Sequence, residues 1–475
     1  MLIATDLLNF MAIVMKFGGT SVADAAAFAN VARIVTARVE ASPVVVVSAM
    51  SGVTDALLTS THMAEEGHAD AAIALLKNTF RRHKETAAEF LSETEAKHFF
   101  SLVDASENQV AFLLHQTAGH QSKHKAIRDE VLAHGETLSS SLLAAVLCRH
   151  GVEAQQVDAR ACIITDGDHG CAAPVVGRTF AETRNKLTPL IEGEIVPVLG
   201  GFIGANEEGR TTTLGRGGSD YTAALIGAAL DAGEIQIWTD VTGVLTADPR
   251  VVPEGQTVER LSYAEAAELA YFGAKVLHPK TIQPAIEGSI PVRICNSRAP
   301  EEAGTLVGAQ TEPSPRTVKA IAHKVGVTTV QITSARMLGA YGFLRALFEV
   351  FERHRTVVDV VTTSEVSVSL SLDDATALPA IIAELEDLGT VRVEKGRAII
   401  CVVGEGLRGT PGIAARVFST ISDINVTLIS QGASSINLTF AIEEERVEEA
   451  VTRLHQAFFE DGSLAFGLGS SPSYA

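Results

Sequence analysis

Short runs of apolar, mostly β-branched residues recur along the chain, each closing on Gly, Ser, Thr or Asp. They are AIVMKFGGTS (12–21), PVVVVSAMSG (43–52), EIVPVLGGFIG (194–204), IQIWTDVTG (235–243) and IPVRICNS (290–297). Continuous rather than alternating apolarity predicts strands buried on both faces, as in a parallel or mixed sheet. Helix-like stretches separate the runs, so the class is α/β and ligands are expected beyond the strand C-termini. Residues 55–150 show no strand signal and predict a helical cover over the sheet.

The texture changes after GAQTEPSPRT (308–317), whose two prolines and polar residues mark a domain boundary. Beyond it VDVVTTSEVSVSLSL (358–372) and VTLISQGASSINLTF (426–440) repeat one pattern: strand, polar turn, alternating strand. Each follows an amphipathic helix and precedes another, which predicts two βαββαβ modules. The expected ranges are 317–390 and 391–460, with a disordered tail over 461–475.

Charge narrows the partners. The 475 residues hold 57 acidic against 38 basic side chains, a net charge of −19, and no basic stripe, which argues against nucleic acid. An anionic substrate must then be drawn by a local positive patch. Five cysteines without a C-x-x-C pair fit a reducing compartment and give no disulfide framework. The apolar start has neither a basic n-region nor a small-residue cleavage site and is too short to span a membrane. A cytoplasmic protein is expected, with Met11 or Met15 as possible alternative starts.

Several loops could meet an anion. TTTLGRGGSDYTAALIGAALDAG (211–233) puts three glycines and Arg216 before an apolar helix, where unpaired N–H groups and the dipole attract negative charge. KFGGTS (16–21) ends the first strand with Lys16, Gly18 and Gly19, either a plain turn with a solvated lysine or a phosphate cradle. HGETLSSSLLAAVL (134–147) reads as placing Glu136 at a helix start, a capping carboxylate or a partner for a substrate ammonium. WTDVTGVLTADPR (238–250) and AYFGAKVLHPKT (270–281) add Thr239, Asp240, Arg250 and Lys275. No P-loop and no G-x-G-x-x-G after a strand occurs. His120 and His124 stand one helical turn apart with no carboxylate base between them, a solvated face rather than a metal site.

KFGGTSVAD, TTTLGRGGSDYTAAL, WTDVTGVLTADPRVV and FGAKVLHPKT, in this order, resemble the aspartate kinases of the monofunctional, lysine-sensitive type. The resemblance covers nearly the whole chain. It implies a three-layer amino-acid kinase fold over about residues 11–307, then tandem ACT modules of ferredoxin-like βαββαβ topology. The strand 317–324 would complete the second module, with the first inserted between. Also implied is ATP- and Mg²⁺-dependent phosphorylation of L-aspartate, the metal being held mainly by the ATP phosphates.

By the same resemblance, Lys16 contacts the transferring phosphoryl group, framed by Gly18 and Gly19. Ser48 and Thr54 line the aspartate pocket. Glu136 takes the substrate ammonium and Arg216 the α-carboxylate, while Ser219 and Asp220 organise that loop. Thr239, Asp240, Leu245, Arg250 and Lys275 fall at nucleotide positions, Leu245 standing where the family often has tyrosine. An effector pocket is implied at Met337, Ala340, Gly342, Phe343, Leu344, the strand residues Val358 and Asp359, Ser364 and Glu365. Ala340 replaces a frequent serine there. Lysine is the implied inhibitor, and the ACT modules imply a homodimer or homotetramer. The alternatives are another kinase of the same fold or a non-catalytic amino-acid sensor.

Overall fold

The computed structural model describes residues 11–460 except 118–123, 274–276, 278, 310–316, 340 and 433. The chain divides into two compact units, one joining residues up to 243 with 277–310, the other joining 244–276 with residues from 311 onward. The expected tail, Lys275 and Ala340 lie outside the described residues.

In the first unit the strand order is Ala154–Val157, Val196–Gly200, Pro43–Val47, Ile13–Phe17, Glu234–Thr239, Val292–Asn296 and Thr305–Gly308. All neighbours run parallel except the last pair. Val44 to Val47 are fully buried, which is why that run shows no alternation. The first strand is central: the chain goes to Pro43–Val47 on one side and later returns to Glu234–Thr239 on the other. Such a reversal opens a crevice at the strand C-termini.

Four helices, Val53–Glu65, Ala69–Ala88, Glu93–Thr117 and His124–Arg149, fill the span expected to be helical. Leu57, Leu76, Phe80, Val103, Leu114 and Leu138 pack there in one core with Met15, Phe17, Val45 and Val47 of the sheet. Helix Gly218–Ala229 packs against the central strands as well, and Gly227 lies against Val14, whose side chain points opposite to Met15. Three layers result. The helix His124–Arg149 is long and apolar enough to cross a membrane, but 72% of its most apolar window is buried in the protein, as for a core helix.

The second unit carries an antiparallel sheet ordered Val361–Thr363, Ser367–Leu372, Ala320–Thr333, Thr390–Val403, Asn437–Glu443 and Leu428–Gln431. Its two central strands each run 14 residues, with register shifts around Val327. Ala320–Lys324 pairs with Ile399–Val403, and Thr329–Thr333 pairs with Thr390–Glu394. Each long strand therefore serves one module with one half and the other module with the rest. The cores stay separate: Val330, Leu347, Phe351 and Ile381 in the first, Ile321, Ile400, Phe440 and Val451 in the second.

Within the expected segment 11–307, residues 244–276 cluster with the second unit, and Ala247 and Val252 join its core. Polar ties hold them there: Thr246 Oγ1 pairs with His455 at 2.9 Å, and Lys319 with Glu265 at 2.8 Å, both pairs buried. Val358 and Asp359, expected in a strand, precede the strand that begins at Val361. The Asp359 N–H nevertheless donates to the Ser371 carbonyl, so the backbone is already docked on the neighbouring strand.

Candidate active site

The C-terminal ends of the central strands bring Lys16, Gly18, Ser48, Ser219 and Asp220 together. Lys16, in register between Val46 and Ile237, ion-pairs with Asp220 at 2.6 Å. Its ammonium lies over Gly18: a Cβ on that glycine would stand 3.7 Å from Nζ. Ser48 Oγ donates to Ser219 Oγ at 3.0 Å, linking the loop after Pro43–Val47 to the helix Gly218–Ala229. A Cβ on Gly201 would come within 2.7 Å of the Ser219 Cβ, so only glycine lets that strand end approach the helix.

Glu136 corrects a local expectation. It sits in the middle of the 26-residue helix His124–Arg149, not at a helix start, so capping cannot be its task. The preceding glycine misled: Gly135 is not a boundary, because a Cβ there would approach the Ala49 Cβ to 2.9 Å and force the helix off the loop. Glu136 is 2% exposed. One oxygen, Oε1, accepts from the Ala49 N–H at 3.3 Å, and Oε2 is buried without a partner. Burial pushes its pKa up to about 8, against a smaller opposing pull from backbone hydrogen bonds. A buried carboxylate left so incompletely paired is suited to receive a cation.

Arg216 is exposed and makes no hydrogen bond or ion pair among the described residues. Its loop opens the helix Gly218–Ala229 after Gly217, held at φ 73°. Thr54 lies in the first turn of Val53–Glu65, half-buried. Thr239 ends its strand and donates to the exposed Asp240 at 3.2 Å. The other nucleotide-loop residues belong to the second unit. There Leu245 is half-buried and bridges to Thr257. Arg250 grips Asp248 through both carboxylate oxygens and holds that carboxyl below its usual range. His124 donates to the Thr117 carbonyl, while His120 lies outside the described residues.

The expected effector residues gather in the first module. Gly342, at φ 82°, opens the helix Phe343–Arg353. Met337, Phe343 and Val358 pack against the module core, and Leu344 is exposed. Ser364 pairs with Ser367, and Glu365 is exposed. Asp359 accepts from the Tyr271 hydroxyl through Oδ1, while Oδ2 is buried without a partner. Burial, and then the neighbouring Asp373 carboxyl, push its pKa up to about 7. Lys324 pairs with Asp373 and lies 4.7 Å from the Tyr271 ring centre. Sequence reasoning missed Tyr271 and Asp373, for which no local signal exists.

Comparisons with known proteins place the chain in a family. The model of the amino acid kinase family matches residues 11–296, and that of an ACT domain residues 400–458. Lysine-sensitive aspartokinase 3 of Escherichia coli K12 is 36% identical over 94% of this chain and 99% of its own length. The chloroplastic aspartokinase 3 of Arabidopsis thaliana is 40% identical over 94% of this chain and 81% of its own. The structure of E. coli aspartokinase III in complex with aspartate and ADP superposes with a TM-score of 0.80 at 36% identity, covering 94% of this chain and 100% of that one. Its complex with lysine and aspartate, at 37% identity and the same coverage, gives 0.79. A match of this extent in sequence and fold means that the chain belongs to the amino acid kinase family and, within it, to the aspartokinases.

Proposed function

We propose that the chain transfers the γ-phosphoryl group of ATP to the β-carboxylate of L-aspartate, giving 4-phospho-L-aspartate and ADP. The observation that carries this reading is Glu136: a buried carboxylate with one unpaired oxygen, in the same crevice as Lys16 and Ser219. Such a group is matched by the ammonium of an amino acid, and the uncommitted Arg216 fork suits its α-carboxylate. The β-carboxylate is ionised at neutral pH and attacks without a general base. Its oxygen bonds to phosphorus while the bridging bond to ADP breaks and ADP takes the electron pair. Lys16, held by Asp220, neutralises the charge on the transferring group, and Gly18 and Gly19 let the backbone approach it.

Ser48, Thr54 and Ser219 complete the aspartate pocket, and Asp220 holds Lys16. Thr239, Asp240, Leu245, Arg250 and Lys275 serve the nucleotide. Mg²⁺ requires oxygen ligands, which the ATP phosphates supply. Among the described residues no cluster of three or more Asp, Glu, His or Cys could hold it alone. When bound, Mg²⁺ would spread the phosphate charge, and the protein's residues align the nucleotide that carries it.

Lysine regulates through the first ACT module, its ammonium meeting Asp359 and Glu365, with Met337, Ala340, Gly342, Phe343, Leu344, Val358 and Ser364 around it. The E. coli relative solved with lysine supports this. Exposed Tyr341, Leu344, Phe348, Val357 and Val361 leave an apolar face on this module, which supports pairing with a second copy as a homodimer or homotetramer. The test is ADP release with a panel of amino acids, the product trapped as a hydroxamate. Aspartate alone should turn over, and comparable turnover of glutamate would overturn the reading.

A further inference from the structure

Asp129 lies on the helix His124–Arg149, about two turns before Glu136 and on the same face. Its side chain has no exposed surface, and three donors satisfy it. Oδ1 accepts from Thr213 Oγ1 at 2.6 Å, and Oδ2 accepts from His169 Nδ1 at 2.9 Å and from the Gly170 N–H at 3.0 Å. A carboxylate is buried this deeply only when fully paired. The donors are not local to the helix. Thr213 ends the short strand Thr211–Thr213 and leads directly into Leu214, Gly215 and Arg216.

All three threonine hydroxyls of that strand are tied. Thr211 accepts from Arg160 at 3.3 Å, and Thr212 pairs with Thr165 at 2.7 Å, both within the layer that holds the strand. Thr213 alone reaches the helix that carries Glu136. The segment 166–173 then straps the next turn: the Ala172 N–H donates to the Thr213 carbonyl at 2.8 Å. Cys171 and Gly170 crowd Gly215 so closely that a Cβ there would lie 3.2 Å from the thiol sulfur. Gly215 also stands at φ 75°, a conformation that favours glycine and lets the loop turn beneath the strap.

We infer that Asp129 is a positioning residue that fixes the Arg216 loop relative to Glu136, with His169 and Gly170 as the latch of the strap. Resting on the proposed function, this makes Asp129 the ruler for the amino-acid substrate: it sets the span between the groups that take the α-carboxylate and the ammonium. Loosening it weakens the grip on aspartate and relaxes rejection of a longer side chain, while the nucleotide contacts are untouched.

The experiment compares Thr213→Val, which keeps shape and loses the donor, with Thr213→Ser, which keeps the hydroxyl. Thr213→Val should raise the KM for aspartate about 10-fold, the lower end for a lost hydrogen bond to a charged group. The KM for ATP should stay within about twofold, and glutamate turnover relative to aspartate should rise. Thr213→Ser should restore all three, and His169→Gln, altering only the strap, should give a smaller rise for aspartate. An unchanged aspartate KM in folded Thr213→Val, or equal rises for both substrates, overturns the inference. If Thr213→Val does not fold, His169→Gln decides by the same criteria. Glu136→Gln is measured in parallel: if it leaves the aspartate KM unmoved, the substrate assignment itself fails. Should it move that KM while the Thr213 variants do not, only the ruler fails.

Discussion

Glu136 in the first unit and Asp359 in the second present the same unfinished arrangement. Each carboxylate has one oxygen engaged, by the Ala49 N–H and by the Tyr271 hydroxyl respectively, and the other buried without a partner. Each is pushed well above the ordinary carboxylate range, to about 8 and about 7. The causes differ. Glu136 is raised by burial alone, on a helix wedged against the Ala49 loop through Gly135, whereas Asp359 is half-buried and also feels Asp373. A fully enclosed group on a packed helix suits a substrate that must be held to a fraction of an ångström. A half-buried carboxylate held by one tyrosine, with a second acid nearby, can change partners, which suits an effector.

The sharpest way to separate the two regions is to remove a group that acts only during transfer. Lys16→Met should lower kcat about 100- to 1,000-fold, the range for losing one preorganised charge at the reacting centre. The melting temperature should fall as well, because the Asp220 oxygen that meets Lys16 is buried and loses its partner, so kcat is compared at a temperature where both proteins are folded. A kcat near that of wild type would make Lys16 a turn residue. Next comes the substrate carboxylate: Glu136→Gln should raise the KM for aspartate about 10- to 150-fold, as for a lost charged hydrogen bond, and move the nucleotide KM far less. Equal rises in both would assign Glu136 to the fold.

How much of this was legible beforehand depends on the range of the interaction. Val44 to Val47 announce a doubly buried strand because each residue meets the same apolar surroundings. Lys16, Gly18 and the LGRGG loop declare themselves through residue types that few other tasks require. Glu136 was found for its chemistry but misplaced in the helix, since Gly135 reads as a boundary when the loop it faces is unseen. Asp129 and Tyr271 carry no local signal, because their partners lie far along the chain. The interlocked long strands were anticipated only through the family resemblance, which put the strand 317–324 in the second module.

In the regulatory unit the expected effect is smaller. Asp359→Asn should weaken lysine inhibition about tenfold, losing charge but keeping a partner for Tyr271. Threonine and methionine, assayed alone, should inhibit neither protein appreciably. The second module has Thr427 where the first has Asp359 and so lacks that carboxylate. Lysine inhibition untouched by the substitution would move the effector pocket elsewhere.

The finest distinction between the two carboxylates is the pH at which each becomes available. For an acid whose folded pKa is raised, the neutral form prevails below it, and an ammonium ligand must first drive off the proton. The destabilisation from holding the bare charge is absent below the ordinary carboxylate range and grows as pH rises towards the folded pKa. Without ligands, stability should therefore fall from about pH 5 to 8, and each ligand should restore more of it at the upper end. Lysine's own ammonium groups stay charged between pH 6 and 7, leaving Asp359, with Asp373 beside it, as the titrating site. A pKa near 7 raises the ionised fraction about fivefold over that unit and about twofold over the next, and the lysine concentration for half-inhibition should fall in proportion. The aspartate KM should keep falling to about pH 8, one unit later, because Glu136 titrates there. Asp359→Asn should flatten the first curve and Glu136→Gln the second, each without touching the other. Two curves with one common midpoint would mean that a single group, and not two separately tuned carboxylates, governs both ammonium sites.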